Sequence, residues 1–170
     1  MSEPSPTTAG RGRQLLELYD DALPEVYGYL VSRCHSAPVA EDLTSETFLA
    51  AVSAVQRDTV ADLTVAWLIG VARHKLIDHW RRQERHQRSM TLVENEPLDD
   101  DWEVDLDALR AHDILAGLGL HHRSALTLRY LDGLPVAEVA NCLGRTVKAT
   151  EVLLVRARRA FRAAYEAGEE

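Results

Sequence analysis

The sequence predicts an all-α protein of two small helical domains joined by an acidic linker, and three observations carry that prediction. Apolar residues recur at helical spacing through residues 13–88 and 106–164, and nowhere do they alternate as in a strand. Leu, Ala, Val and Arg dominate while aromatics make up only 6% of the chain, a composition that favours helix. Between the two periodic stretches, residues 89–107 hold eight acids, no Lys or Arg, one proline and no sustained periodicity.

The elements follow in order. Residues 1–12 are rich in Ser, Pro, Thr and Gly and are expected to be disordered. From Arg13 a helix is expected, its apolar face made of Leu15, Leu16, Tyr19, Leu23, Val26, Tyr27, Leu30 and Val31. Pro24 should break or kink it, or sit in the first turn of a second helix. Ser36, Ala37 and Pro38 read as a turn, followed by a second helix over 39–55, a polar loop over 56–63 and a third helix over 64–88. These make a first domain, 13–88. The acidic stretch 89–107 is expected to be a linker, either a solvated spacer extended by self-repulsion or an acidic mimic of nucleic acid. A second domain, 108–166, follows. Helices are expected near 106–118 and 121–131, the latter ended by Asp132 and Gly133. Pro135 suits the first position of a short helix ending at Leu143, and Gly144 suits its C-terminal cap. A last helix should run over 147–164.

Several function classes are excluded at this level. No apolar run approaches the roughly 20 residues needed to span a bilayer. The start, MSEPSPTTAGRGR, has no apolar stretch after its positive charges and so is no secretory signal; a cytoplasmic location is expected. Cys34 and Cys142 lie far apart and outside any CxxC pair, which argues against a disulfide framework or a zinc site. His74 and His79, five apart, do not share a helix face, so no metal site is expected there. There is no Gly-rich phosphate loop, GxSxG, HExxH or calcium loop. The acid pairs Glu41–Asp42 and Asp99–Asp101 fall on a helix face and in the linker, where no preorganised pocket is expected. No cofactor and no enzymatic activity are therefore expected. The net charge of −8 is carried entirely by the eight acids of residues 89–107. The remainder is balanced and holds local basic concentrations, which matter more than the total for partner choice.

Three segments carry a functional signal. Residues 126–161 read as helix, short helix, tight turn and long helix, the helix-turn-helix plan, with Ala140 small where two helices must cross. The last helix and its approach offer Arg145, Lys148, Arg156, Arg158, Arg159 and Arg162. Residues 65–88 combine an apolar stripe (Trp67, Leu68, Val71, Leu76, Ile77) with a basic surface of Arg73, Lys75, Arg81, Arg82, Arg85 and Arg88. Such cations suit phosphate contacts, and the interleaved His74, His79 and Trp80 are expected to meet bases. Residues 40–49 carry a polar face of Glu41, Asp42, Ser45 and Glu46 opposite Leu43, Phe48 and Leu49, a pattern that by itself marks a surface helix.

Four motifs in this order, LYDDALPEVYGYL (18–30), AEDLTSETFLAAV (40–52), AWLIGVARHKLIDHWRR (66–82) and ALTLRYLDGLPVAEVANCLGRTVKATEVLLVRARRAF (125–161), resemble the sigma-70 family, specifically its short two-domain extracytoplasmic-function members. The resemblance spans nearly all of residues 13–165. It implies a region-2-like first domain whose 40–52 helix binds RNA polymerase core through Asp42, Glu46 and Phe48. It implies that the 66–82 helix and the preceding loop open the promoter minus-ten element, with His74, Lys75, Trp80, Arg81 and Arg82 as the DNA-binding set. The region-4-like second domain would read the minus-thirty-five element through Arg145, Thr146, Lys148, Arg156, Arg158 and Arg159, and would touch the polymerase flap. An anti-sigma factor is a further implied partner. Ser45 stands where the family commonly has Gln, and His74 where it has Asn. Glu151, Leu153 and Val155 fall where polar or basic residues are common.

Two rival readings stand: one is a small helical enzyme or a pure interaction protein, the other a stand-alone helix-turn-helix regulator that binds DNA without polymerase. Such a regulator usually pairs one DNA-reading domain with a ligand-binding or dimerisation domain. Here the N-terminal half offers a basic Trp-containing helix and no sign of a ligand pocket, which favours the sigma reading.

Overall fold

A computed structural model describes residues 6–34, 36–89 and 106–168. The chain divides into two compact units, Met1–Asp99 and Asp100–Glu170. The central part of the expected acidic linker, residues 90–105, lies outside the described residues. Helices make up both units, and no strand occurs among the described residues.

The first unit is a three-helix bundle of α1 (Pro6–Cys34), α2 (Ala37–Gln56) and α3 (Val65–Ser89), each packed on the other two. Its centre is Val26 and Leu30 of α1, Leu43 and Thr47 of α2, and Leu68 and Leu76 of α3, all buried. Thr44 and Thr47 sit in this core because each hydroxyl donates to the carbonyl one turn back, Ala40 and Leu43, at 2.7 Å. In the α2–α3 connection Val60 and Leu63 turn inward as a plug. The Thr64 hydroxyl then accepts from the Trp67 N–H at 3.1 Å and caps the start of α3.

Two expectations for α1 are corrected. The helix begins at Pro6, so residues 6–12 are helical, not disordered. Proline suits a helix's first turn, and Arg11 pairs with Asp58 in the α2–α3 connection, which ties the start of α1 to the bundle. Nor does Pro24 divide the helix, for α1 is continuous through it. Pro24 is exposed while Ala22, Val26 and Leu30 pack inward. The lost backbone bond costs about 3 kcal/mol, and burial of the inner face against two helices offsets it.

The second unit contains α4 (Leu106–Gly117), α5 (Leu120–Leu126), a π-helical turn (Thr127–Leu131), α6 (Val136–Leu143) and α7 (Val147–Ala167). The long α7 is its spine and packs on α4, α5 and α6. Ala125, Leu128, Val139, Leu153, Leu154 and Ala157 form the interior. The Arg110 guanidinium lies 4.3 Å from the centre of the Tyr165 ring and donates to the Tyr165 carbonyl, fastening α4 to the end of α7.

The expected single helix over 121–131 changes pitch at Thr127, where the Asp132 N–H reaches the Thr127 carbonyl at 3.0 Å. The wider turn keeps Leu128 buried and leaves Tyr130 and Leu131 exposed. Pro135 is the residue before α6, not its first: its carbonyl accepts from the N–H groups of Glu138 and Val139 at 2.9 and 3.0 Å. Gly144 is left-handed (φ 63°, ψ 38°), and the following Arg145 N–H turns back to the Ala140 carbonyl at 2.9 Å. That geometry gives the helix-turn-helix its tight turn and is the reason glycine stands there.

Candidate partner and nucleic-acid interfaces

On α2 the inward residues Ala40, Leu43, Thr44, Thr47 and Ala51 fix which side chains face out. Asp42 is exposed and Glu46 lies one turn further on, half-buried. The Glu46 carboxylate stands between two cations of α3, Lys75 Nζ at 3.7 Å and Arg82 Nη2 at 3.8 Å. The structure thus brings together residues that the family resemblance assigns to two different partners. Phe48 turns the other way and packs its ring on Tyr19 of α1, centroids 4.8 Å apart. Around this pair Leu16, Tyr19, Leu49 and Val52 are exposed, Leu16 by 75% and Leu49 by 68%. Periodicity counts Leu16 and Tyr19 toward the core face. Only the placement of α2 shows that they stand outside it.

On α3, His74, Arg81 and Arg82 are exposed and Lys75 is half-buried. Arg81 pairs with Asp78 of the preceding turn at 3.2 Å. Trp80 is a correction: it is 3% exposed and belongs to the core, not to a base-stacking surface. The spacing of Leu68, Ala72, Leu76 and Trp80, four residues apart, is that of one helix face, and all four are buried. This signal was present in the sequence and identifies the indole as a packing residue.

The basic residues of the second unit divide between two flanks of α7. Thr146 caps the helix, its hydroxyl accepting from the Ala149 N–H at 3.2 Å. Lys148, Val152, Val155 and Arg159 are exposed on the outer face, and Leu153 is buried. On one flank Arg145, Lys148 and Arg156 line a cleft of about 600 Å³ together with His121 and His122 of α5. Arg158 is separated from them. Its guanidinium donates to the Tyr130 hydroxyl at 3.3 Å on the opposite flank. It borders a second groove of about 600 Å³, otherwise mainly apolar, that includes Leu115, Leu126, Leu131, Phe161 and Tyr165. Nothing in the sequence pattern singles out that groove or the two histidines.

Among the described residues no three His, Cys, Asp or Glu side chains converge as metal ligands. No described helix is long and apolar enough to cross a membrane. Neither groove of the second unit presents a paired nucleophile and base. What both units offer is exposed charge and exposed apolar surface, the chemistry of binding.

Comparison with known proteins agrees with this division. Residues 18–86 match the family model for sigma-70 region 2, and residues 108–161 match that for sigma-70 region 4. The chain is 34% identical over 158 residues to the ECF RNA polymerase sigma factor BldN of Streptomyces coelicolor; the match covers 88% of this chain but 59% of that protein's length. It is 32% identical over 171 residues to the ECF sigma factor SigL of Mycobacterium tuberculosis, with 94% of each chain covered. Among solved structures it is similar in fold to the sigma factor RpoE of Bartonella quintana, determined with the anti-sigma factor NepR. That TM-score is 0.66 at 19% identity, covering 91% of this chain and 98% of the other. CnrH, determined with the cytosolic domain of CnrY, gives a TM-score of 0.59 at 24% identity, covering 95% and 93%.

Proposed function

The chain belongs to the sigma-70 family, in its extracytoplasmic-function branch, and we propose from that membership how its surfaces divide the work of promoter-specific transcription initiation. It acts as a dissociable specificity subunit in the cytoplasm, by binding and not by a reaction of its own. Its first domain starts with α1 at Pro6 and its second with α4 at Leu106, the acidic segment between them serving as tether.

Polymerase core binds α2 through Asp42 and Glu46 on one side of the helix and through the Phe48–Tyr19 pair on the other. The exposed Leu16, Tyr19, Leu49 and Val52 beside it support this, since a contact surface of charge next to apolar side chains is what a specific interface needs. His74, Lys75, Arg81 and Arg82 of α3 contact the minus-ten element. Lys148 and Arg159 on the outer face of α7, with Arg145 in the turn before it and Arg156 on its flank, contact the minus-thirty-five element, and Thr146 holds the first turn of that helix. Arg158 belongs instead to the apolar groove of α4, α5 and α7, which suits the polymerase flap. An anti-sigma factor is a further proposed partner, as in the similar RpoE structure.

The observation that carries this reading is the Glu46 cluster: an acidic face and a basic helix meet on one small bundle, separate from the helix-turn-helix. Purified chain carrying Asp42→Lys and Glu46→Lys is expected to lose affinity for polymerase core while its helical content and melting temperature stay close to wild type. A folded double variant with unchanged core affinity overturns the assignment. Tight, sequence-specific binding of the wild-type chain to duplex DNA without core favours the stand-alone regulator.

A further inference from the structure

We propose that His121 and His122, at the start of α5, belong to the DNA interface of the second unit and seat a backbone phosphate beside the minus-thirty-five element. This inference rests on the reading of α7 as the helix that contacts that element. The two histidines line one wall of the cleft whose other wall is formed by Arg145, Lys148 and Arg156. The cleft holds about 600 Å³ and no carboxylate lines it. Among the described carboxylates on helices packed against α5, Asp113 of α4, Glu138 of α6 and Glu151 and Glu166 of α7 are all absent from its lining. An acid-free cleft walled by two arginines, a lysine and two imidazoles suits an anion with several acceptor oxygens, and the imidazole N–H donates in either protonation state.

Position names the source of that anion. Lys148 and Arg156 belong both to the cleft and to the exposed surface of α7, so a duplex lying on α7 brings its own backbone to the cleft mouth. His121 is exposed and His122 half-buried, so the pair borders solvent without being needed for the core. The two residues lie outside the helix-turn-helix itself, and for that reason basic residues counted along α7 do not reveal them. Contacts of this kind fix the position of a recognition helix and carry no sequence information of their own.

The test uses the full chain with polymerase core on a promoter fragment containing the minus-thirty-five element. Each phosphate around that element is replaced in turn by a neutral methylphosphonate, and affinity is measured for wild type and for His121→Ala/His122→Ala. The double variant is expected to bind the unmodified fragment about three- to tenfold more weakly, the range of one or two hydrogen bonds. At one or two adjacent phosphates the methylphosphonate should weaken wild type more than the variant, which has already lost the histidine share of that interaction while Arg145, Lys148 and Arg156 still face the phosphate. A free phosphate ion would show no such dependence on position in the duplex. His121→Gln/His122→Gln, which retains side-chain N–H donors, should recover part of the loss; His121→Ala alone serves if the double variant melts early. Losses that add at every phosphate overturn the proposal. Failure of the underlying reading is seen separately: Lys148→Ala/Arg156→Ala would then leave the dependence on the minus-thirty-five sequence unchanged in the wild-type histidine background.

Discussion

Trp80 shows how a residue's chemistry can mislead when its neighbours are ignored. An indole among arginines resembles a base-stacking platform, yet its register with Leu68, Ala72 and Leu76 places it in the bundle core. Trp80→Ala is therefore expected to destabilise the first unit by about 3–5 kcal/mol, the usual cost of removing a buried aromatic. Chemical denaturation checks this; a folded variant of near-native stability with a pure DNA-binding defect would return the residue to the interface. Glu46 is the opposite case. Its two ion pairs are long, at 3.7 and 3.8 Å, and its side chain is 40% exposed, so they contribute little to stability. Glu46→Gln should change the unfolding free energy by less than about 1 kcal/mol while lowering core affinity about tenfold. Parallel thermal melts and core-binding titrations separate the two effects.

At the scale of elements, α1 is held by its packing and not by its local sequence. Pro24 interrupts the backbone ladder on the exposed side of a continuous helix. Pro24→Ala is expected to stabilise the first unit by about 1–3 kcal/mol, the propensity gain less the extra freedom returned to the unfolded chain. A lower denaturation midpoint would mean that the bundle depends on a bend at this position. In α3 the outward cations are distinct from the inward stripe, so they can be changed without touching the core. Replacing Arg81 and Arg82 with Ala should leave stability nearly unchanged and flatten the salt dependence of promoter binding by about one unit for each phosphate no longer neutralised. An unchanged slope would remove α3 from the DNA surface.

For the whole molecule, a net charge of −8 works against binding a polyanion, while the two basic surfaces lie on separate units. On the proposed division of surfaces, each alone is expected to bind weakly, and a tether would convert the second binding event into an intramolecular step. The free chain is therefore expected to bind duplex DNA no better than non-specifically, with Kd about 10⁻⁴–10⁻⁶ M at physiological salt. With core present, scrambling either promoter element should cost about 100-fold in affinity. Fluorescence anisotropy on fragments with both elements, one element or neither measures this directly, and equal affinity for one-element and two-element fragments would show that the units do not act together.

The sequence by itself determined that the chain is helical, that two periodic stretches flank an acidic one, and that a helix-turn-helix with glycine at its turn lies near the C-terminus. These features are local: helical period, composition and the left-handed preference of Gly144 are properties of neighbours along the chain. Tertiary structure decided what depends on residues distant in sequence. It buried Trp80, carried α1 through Pro24 and back to Pro6, and set Glu46 against Lys75 and Arg82. It also turned Arg158 toward Tyr130 and brought His121 and His122 to the flank of α7. The physical reason is common to all of these. A side chain's periodicity states which face of its own helix it occupies, but only the packing of other helices decides whether that face meets core, partner or solvent.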